Sequence, residues 1–253
     1  RTFAVLTQRA LILEEAFKKI CHTRFLEVKY GTKLHENHGF PKGGRSFLAI
    51  HWISLLSNLT MKPILVLDNY DSFTYNLVHL LESLTDAPAE VWRNDAVDLE
   101  TLNRYGRIVL SPGPGIPEEA GYLLEVIRLA HPHIPILGIC LGMQALAVAS
   151  GGELFQLTDV KHGNETPIQV NPDQDRLGLY QQLPREFVVG RYHSWMVGET
   201  SLPTQWMITA RDEEGRIMSM THQKLPWQGV QFHPESVMTP LGKSILENWL
   251  LSC

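Results

Sequence analysis

The sequence is poor in cysteine, and this excludes several classes of protein. Its 253 residues contain three cysteines, Cys21, Cys140 and Cys253, and no two of them form a C-x-x-C pair. Disulfide frameworks and structural zinc sites need paired or clustered cysteines, so we expect neither. Sparse, unpaired cysteine is typical of a reducing compartment, and we predict a cytoplasmic location.

The chain also lacks an excess of positive charge and a hydrophobic run long enough to cross a bilayer. The formal net charge is −5, which gives no general bias towards nucleic acid. The apolar stretch at 46–60 contains His51 and is shorter than the roughly 20 residues of a membrane-spanning helix. We therefore expect neither a nucleic-acid partner nor a membrane partner.

Charge is unevenly distributed and divides the chain into two parts. Residues 1–60 contain 9 basic and 4 acidic residues, whereas residues 61–253 contain 13 and 23. Apolar residues at helical spacing predict an amphipathic helix between Phe3 and Ile20. We interpret 1–60 as an N-terminal extension of uncertain origin and hypothesise that it lies upstream of a natural start at Met61.

Strand-like and helix-like segments alternate from residue 63 onward. Apolar runs predict buried strands at 63–68, 89–94, 107–113 and 134–139. Periodic patterns predict helices at 72–84, 118–130 and 141–149. Shorter runs after Gly152 predict mixed and antiparallel strands, and a helix follows at 240–250. The expected fold is α/β, an open, mostly parallel sheet with helices on both faces.

Cys140 lies where a predicted strand meets a predicted helix. It stands in GICLG, between Gly138 and Gly142, which has the layout of a G-x-S-x-G nucleophile elbow with Cys in place of Ser. Ligands bind at the carboxyl edge of open α/β sheets, and a helix N-terminus favours a negatively charged thiolate. Cys140 is therefore a candidate nucleophile, and a buried structural cysteine is the alternative.

A nucleophilic thiol needs a base and a group that orients the base. In GVQFHPESV (229–237), His233 and Glu235 are two residues apart, so in an extended segment both side chains point the same way. Pro234 favours such an extended backbone. We predict that Glu235 fixes the His233 ring while its other nitrogen faces Cys140. A surface histidine in a loop is the alternative, and His193 is a rival base.

The stretch SPGPGIPEEAG (111–121) follows the third predicted strand, so it should lie beside Cys140 at the same sheet edge. Gly113 and Gly115 permit close backbone approach. Backbone N–H groups here are candidates for stabilising an oxyanion. A plain Pro/Gly turn is the alternative.

Together, the SPGPG, G-x-C-x-G-x-Q and H-P-E stretches resemble the class I glutamine amidotransferases, whose members use a Cys-His-Glu triad. The segment ILVLDNYDSFTYNLVHLL (64–81) is similar to the glutaminase component of anthranilate synthase, or of the related aminodeoxychorismate synthase. The resemblance covers residues 61–251 and leaves 1–60 unmatched. It identifies 61–253 as a glutamine amidotransferase domain.

The resemblance implies a residue-by-residue mechanism. Cys140 attacks L-glutamine to give a glutamyl thioester, His233 transfers protons, and Glu235 orients His233. By matched positions, glutamine binding is assigned to Gly113, Pro114, Gly115, Leu141, Gln144, Ser194 and Trp195. Two positions depart from the family pattern: Met143, where many relatives have His, and Trp195, where many have a smaller apolar residue.

The resemblance also implies a partner. Ammonia passes to a chorismate-binding synthase subunit, anthranilate synthase component I, which binds Mg²⁺, so we expect no cofactor and no metal in this chain. We favour anthranilate as the product, with aminodeoxychorismate as the alternative. A γ-glutamyl hydrolase or peptidase and an inactive regulatory subunit of the same fold are further alternatives. The segment DNYDSFTYN (68–76) is either a partner-facing loop or a helix cap.

Overall fold

The computed structural model describes residues 62–157 and 163–252. The amphipathic helix predicted near the N-terminus and the hypothesis of a start at Met61 both lie outside the described residues. Within those two ranges, no helix is long and apolar enough to cross a membrane.

Strands and helices follow the alternation that the sequence predicts. The strands are β1 (Ile64–Asp68), β2 (Ala89–Arg93), β3 (Arg107–Leu110), β4 (Ile136–Ile139), β5 (Leu154–Gln156), β6 (Asn164–Val170), β7 (Glu186–Arg191), β8 (Trp195–Val197), β9 (Trp206–Asp212), β10 (Ile217–His222) and β11 (Trp227–Val230). The α-helices are α1 (Thr74–Glu82), α2 (Leu123–Leu129), α3 (Leu141–Ala149) and α4 (Gly242–Leu251). Short 3₁₀ helices cover Leu99–Arg104, Pro117–Glu119 and Pro172–Gln174.

Nine of these strands form one open sheet with the order β2-β1-β3-β4-β11-β10-β9-β6-β7. The strands from β2 to β11 pair in parallel, and those from β11 to β7 pair antiparallel. β5 and β8 form a separate antiparallel pair. The predicted α/β architecture is confirmed, and the sheet has a parallel half and an antiparallel half.

Helices cover both faces of the parallel half. Successive side chains of a strand point to opposite faces, and β1 shows this directly. Leu65 packs in one core cluster with residues of α2 and α3, such as Val126 and Leu146. Val66 packs in a second cluster with residues of α1 and α4, such as Leu77. Two layers of helices therefore hold the sheet edge on which the candidate residues lie.

One predicted helix is broken in two. The segment 118–130 forms a 3₁₀ turn ending at Glu119 and then α2, which begins at Leu123. Gly121 lies between them with φ +53°, a left-handed conformation that no α-helix contains. A Cβ at Gly121 would lie 2.8 Å from the carbonyl oxygen of Asn94, so the break packs tightly against the loop after β2.

Candidate active site

Cys140 is the single residue between β4 and α3. Its backbone has φ 51° and ψ −103°, which is unfavourable for a residue with a side chain. Its N–H donates to the carbonyl of Val230 at 2.8 Å, so β11 holds this strained position in place. Strain of this kind is concentrated at functional sites, where surrounding structure enforces it.

Two glycines make the turn at Cys140 sterically possible. A Cβ on Gly138 would lie 2.5 Å from the carbonyl group of Gly142. A Cβ on Gly142 would overlap the carbonyl oxygen of Leu110, at the end of β3. The GICLG sequence therefore lets α3 start directly against the ends of two strands, which brings its N-terminus to the sheet edge.

His233 and Glu235 form a buried pair. Nδ1 of His233 lies 2.7 Å from Oε1 of Glu235, and their side chains are 6% and 2% exposed. The expected extended segment is wrong, however. The N–H of Ser236 donates to the carbonyl of His233 at 3.2 Å, which closes a turn with Pro234 in its second position, where proline is favoured.

A network of backbone contacts fixes the position of this turn. The N–H of His233 donates to the carbonyl of Gly190 at 3.1 Å. The hydroxyl of Thr239 donates to the carbonyl of His233 at 2.7 Å and accepts from the N–H of Gly190 at 3.0 Å. The end of β7 therefore anchors the His233 turn at both of its ends.

The ring of His233 contacts Glu235 through Nδ1, and Cys140 lies near enough to affect its titration. Burial lowers the pKa of His233, but the interactions with the sulfur of Cys140 and with the carboxylate of Glu235 outweigh burial and raise the pKa to about 11. Nε2 is buried and has no nitrogen or oxygen partner among the described residues. The edge of the Tyr192 ring packs against the imidazole, with centroids 4.9 Å apart. His233 is thus protonated at neutral pH and is aligned by its Glu235 contact.

His193, the rival base, is engaged elsewhere. Its Nε2 accepts from Nε of Arg191 at 3.2 Å, and its Nδ1 lies 3.0 Å from the carbonyl oxygen of Trp195. Because a guanidinium only donates, Nδ1 carries the proton and donates to Trp195. Burial, and next the Arg191 charge, lower the pKa of His193 to about 3. This ring is therefore neutral with both nitrogens occupied, which favours His233 as the group that exchanges protons with the nucleophile and substrate.

Among the predicted glutamine-binding residues, Leu141, Gln144 and Gly113 lie at the start of α3 or against it. Leu141 follows Cys140 directly, and a Cβ on Gly113 would lie 2.9 Å from the Leu141 side chain, so the SPGPG loop adjoins the start of α3. Gly115 has φ +74° and is exposed, and Pro114 beside it is also exposed. The loop thus borders the site with accessible backbone.

Gln144 and the residues of β8 are already hydrogen-bonded to one another. Nε2 of Gln144 donates to the carbonyl of Trp195 at 2.8 Å. The carbonyl of Ser194 accepts from the N–H of Leu157 at 2.8 Å. These two carbonyls therefore have protein partners, and Gln144 holds β8 against α3.

Sequence reasoning missed two groups that shape the site. The backbone N–H of Asn69 donates to the hydroxyl of Ser111 at 2.9 Å, and the side-chain amide of Asn69 donates to the Ser111 carbonyl at 2.8 Å, which ties the end of β1 to the SPGPG loop. Gln231 is fully buried, and its Nε2 lies 3.6 Å from Sγ of Cys140. A signal for Gln231 was present, because its period-two spacing from Gly229 and His233 places it on their side of the chain.

Comparisons with known proteins point to one family. The family described as Glutamine amidotransferase class-I matches residues 65–253. Anthranilate synthase component 2 of Mycobacterium tuberculosis is 43% identical over 195 residues, which cover 75% of this chain and 82% of that protein. Aminodeoxychorismate synthase component 2 of Escherichia coli is also 43% identical, over 189 residues that cover 74% of this chain and 98% of that protein.

A longer relative and a solved structure extend these comparisons. The bifunctional protein TrpGD of Thermotoga maritima is 43% identical over 195 residues, and the match spans 76% of this chain but only 32% of that protein. A crystal structure of a GMP synthase-type protein from Thermoplasma acidophilum superposes with a TM-score of 0.67 and 27% identity, covering 75% of this chain and 92% of that one. Sequence and fold thus agree.

Proposed function

The chain belongs to the class I glutamine amidotransferases, a family of enzymes, and from this premise we propose that Cys140, His233 and Glu235 hydrolyse L-glutamine. The observation that carries the proposal is the buried pair of His233 and Glu235, whose Nδ1 and Oε1 atoms lie 2.7 Å apart, together with the effect of Cys140 on the pKa of the same imidazole. A nucleophile, a base and an orienting carboxylate in this order are the elements of a covalent acyl-transfer site.

In the first step, the thiolate of Cys140, whose proton is held on His233, attacks the side-chain amide carbon of glutamine with its Sγ. A carbon–sulfur bond forms, the carbon–nitrogen bond breaks, and Nε2 of His233 gives its proton to the departing nitrogen, which leaves as ammonia. The raised pKa of His233 keeps that proton available at neutral pH. Glu235 holds the ring through Nδ1, so Nε2 stays directed at the reacting atoms.

In the second step, water attacks the thioester carbon. His233 takes a proton from this water, the carbon–sulfur bond breaks, and glutamate leaves with the sulfur restored. The oxyanion that forms in each step needs nearby N–H donors. The N–H of Leu141, in the unpaired first turn of α3, and the backbone at Gly115 are the donors that we assign.

The ammonia is used by another subunit in this proposal. Relatives of equal identity are named for anthranilate synthase and for aminodeoxychorismate synthase, so a chorismate-binding synthase is the partner class in both cases. We favour an anthranilate synthase partner and keep the aminodeoxychorismate synthase as the second candidate. We assign the Mg²⁺ requirement to that partner rather than to this chain.

The test compares wild type with Cys140→Ser in complex with the synthase subunit that co-purifies. With chorismate, Mg²⁺ and glutamine, wild type should form an aromatic product, and Cys140→Ser should form less than about a thousandth as much because the nucleophile is lost. With ammonium chloride in place of glutamine, both complexes should form product equally. The mass of that product identifies the pathway.

Two results would contradict the proposal. Glutamine hydrolysis by Cys140→Ser at the wild-type rate would exclude Cys140 as the nucleophile. Release of glutamate from γ-glutamyl peptides, without amination of chorismate by any complex, would favour the hydrolase alternative instead.

A further inference from the structure

Gln231 lies between Cys140, the candidate nucleophile, and the side-chain amide of Gln144, one of the predicted glutamine-binding residues. It follows β11 directly, and its side chain has no exposure. Its Nε2 lies 3.6 Å from Sγ of Cys140, and its Oε1 lies 3.3 Å from Nε2 of Gln144. A buried amide in contact with a reacting sulfur has chemical as well as packing consequences.

The orientation of the Gln231 amide follows from its neighbours. The carbonyl of Trp195 can only accept a hydrogen bond, so the amide nitrogen of Gln144, 2.8 Å away, must face it. That nitrogen also faces Gln231, which therefore presents its oxygen to Gln144. The amide nitrogen of Gln231 is left to point at the sulfur, and an N–H group there donates to it.

We propose that Gln231 is a catalytic hydrogen-bond donor to the sulfur of Cys140. The role rests on the proposed function, in which this sulfur carries negative charge before attack and again when the thioester breaks. A donor that is fixed before the reaction stabilises such charge without having to reorganise. The same contact holds the sulfur at a set distance from the amide of Gln144, and so aligns the nucleophile with the bound substrate.

Gln228, which lies within β11, provides a matched control. It is also fully buried, and neither its amide nitrogen nor its oxygen has a hydrogen-bond partner among the described residues. Gln228 lies three positions before Gln231, an odd spacing, so along an extended chain its side chain points to the opposite side. Replacing Gln228 removes a buried amide from β11 without touching Cys140.

The experiment measures how fast iodoacetamide alkylates Cys140 in the full chain at neutral pH. Wild type, Gln231→Met and Gln228→Met are compared, and peptide mass spectrometry separates Cys140 from Cys21 and Cys253. Methionine keeps the size of the side chain but removes the donor. We expect alkylation of Cys140 and kcat for glutamine hydrolysis to fall about tenfold or more in Gln231→Met, as for loss of a hydrogen bond to a charged group. Gln228→Met should stay within about twofold of wild type.

A second variant tests whether slower alkylation could result from misfolding rather than from loss of the donor. Gln231→Glu keeps the shape and the oxygen that accepts from Gln144, but it places an oxygen beside the sulfur. It should also slow alkylation, and far-ultraviolet circular dichroism identifies which variants are folded. A folded variant of either kind whose Cys140 reacts at the wild-type rate overturns the proposal, even if its KM or stability has changed.

The readouts separate this inference from the proposed function. Alkylation does not require glutamine. Slower alkylation of Cys140 in Gln231→Met therefore supports the donor role even if wild type hydrolyses no glutamine. In that case the proposed function is contradicted, whereas the hydrogen bond from Gln231 to the sulfur of Cys140 is supported. Conversely, if wild type hydrolyses glutamine and Gln231→Met does so equally well, the donor role fails and the triad stands.

Discussion

His193 and Trp195 are joined by a hydrogen bond of 3.0 Å between Nδ1 and the Trp195 carbonyl oxygen, and Gln144 donates to that same oxygen at 2.8 Å. One backbone carbonyl thus receives two buried donors from separate elements. Arg191 holds the other nitrogen of His193. A continuous chain of contacts therefore connects a charged residue inside the antiparallel half of the sheet with the amide that lies next to Cys140.

The first prediction concerns His193. His193→Phe removes the donor to the Trp195 carbonyl and the acceptor for Arg191. The start of β8 and the Gln144 side chain bound to it are then held less firmly. We expect KM for glutamine to rise about tenfold, the value for one lost hydrogen bond of about 1.4 kcal/mol. His193→Asn, whose amide can replace the Nδ1–H donor, should recover part of the loss. Steady-state kinetics check this, and an unchanged KM in folded His193→Phe would contradict it.

The second prediction concerns the buried ion pair behind His193. Nη1 of Arg191 lies 2.8 Å from Oδ2 of Asp212, and both side chains are 1% exposed or less. Asp212→Asn leaves the guanidinium without its countercharge, and we expect the free energy of unfolding to fall by about 3–5 kcal/mol. Denaturant unfolding measures it.

Two controls accompany this prediction. Glu125→Gln breaks an exposed pair with Arg128 and should change the free energy of unfolding by less than about 1 kcal/mol. The double variant Arg191→Met/Asp212→Leu should be more stable than Asp212→Asn, because the buried guanidinium is removed together with its countercharge, and Arg216, which also lies near Asp212, keeps Glu214 at 3.0 Å. An equal fall in the free energy of unfolding in all three variants would contradict the prediction, because it would show that an unpaired buried charge is no more destabilising than a broken surface pair.

The third prediction concerns pH. Because the pKa of His233 is raised to about 11 in the folded protein, its protonated ring stabilises the fold fully below about pH 6.5. That stabilisation is lost as pH rises towards the folded-state pKa. Glu235→Gln removes the carboxylate that helps raise it, so the loss of stability should be larger at about pH 6 than at about pH 10.

The comparison is made by chemical unfolding of wild type and Glu235→Gln at both pH values. Glu199→Gln is the control. Glu199 pairs with Arg211 at the surface, and an arginine stays charged throughout this range, so its small effect should not change with pH. A loss in Glu235→Gln that is equal at both pH values would show that the charge on His233 does not contribute.

The fourth prediction concerns the partner-facing loop proposed from the sequence. Phe73 is 50% exposed, and its ring lies 6.5 Å from that of Tyr192. Phe73→Ala should leave the free energy of unfolding within about 0.5 kcal/mol of wild type. If the synthase subunit covers this loop, its dissociation constant should rise about tenfold or more.

Leu129 provides the control for this surface. It is 55% exposed at the end of α2 that is remote from the carboxyl edge of the sheet. Leu129→Ala should leave the affinity for the synthase subunit unchanged in titration calorimetry. Equal weakening by both substitutions, or by neither, would remove the loop from the interface.

The sequence was most informative where structure is local. The first four strands and α3 were predicted from apolar runs and periodicity, because buried parallel strands and their crossover helices leave strong patterns. GICLG indicated a tight strand-to-helix turn, and its two glycines prove to be sterically required there. The turn that brings Glu235 to His233 was predicted as extended, because a single proline is compatible with both forms.

The remaining features depend on contacts between distant segments. One continuous run, EFVVGRYHSWMV, was predicted to give mixed and antiparallel strands, but nothing in it shows that β7 and β8 enter different sheets. The Arg191–Asp212 pair joins residues 21 positions apart, and no periodicity predicts such a pair. The spacing of Gln231 from His233 indicates a shared side of the chain, but spacing alone does not show which distant side chain Gln231 contacts.

The pairing of β4 with β11 also determines when the enzyme can first act. Val230 receives the N–H of Cys140, and His233 follows three residues later. A ribosome that makes this chain releases Cys140, the proposed nucleophile, some 90 residues before His233, its proposed base. During that interval the nascent protein carries a cysteine at an incomplete turn. Under the proposed function, ammonia production therefore begins only when β11, the strand that precedes His233, has been synthesised and docked.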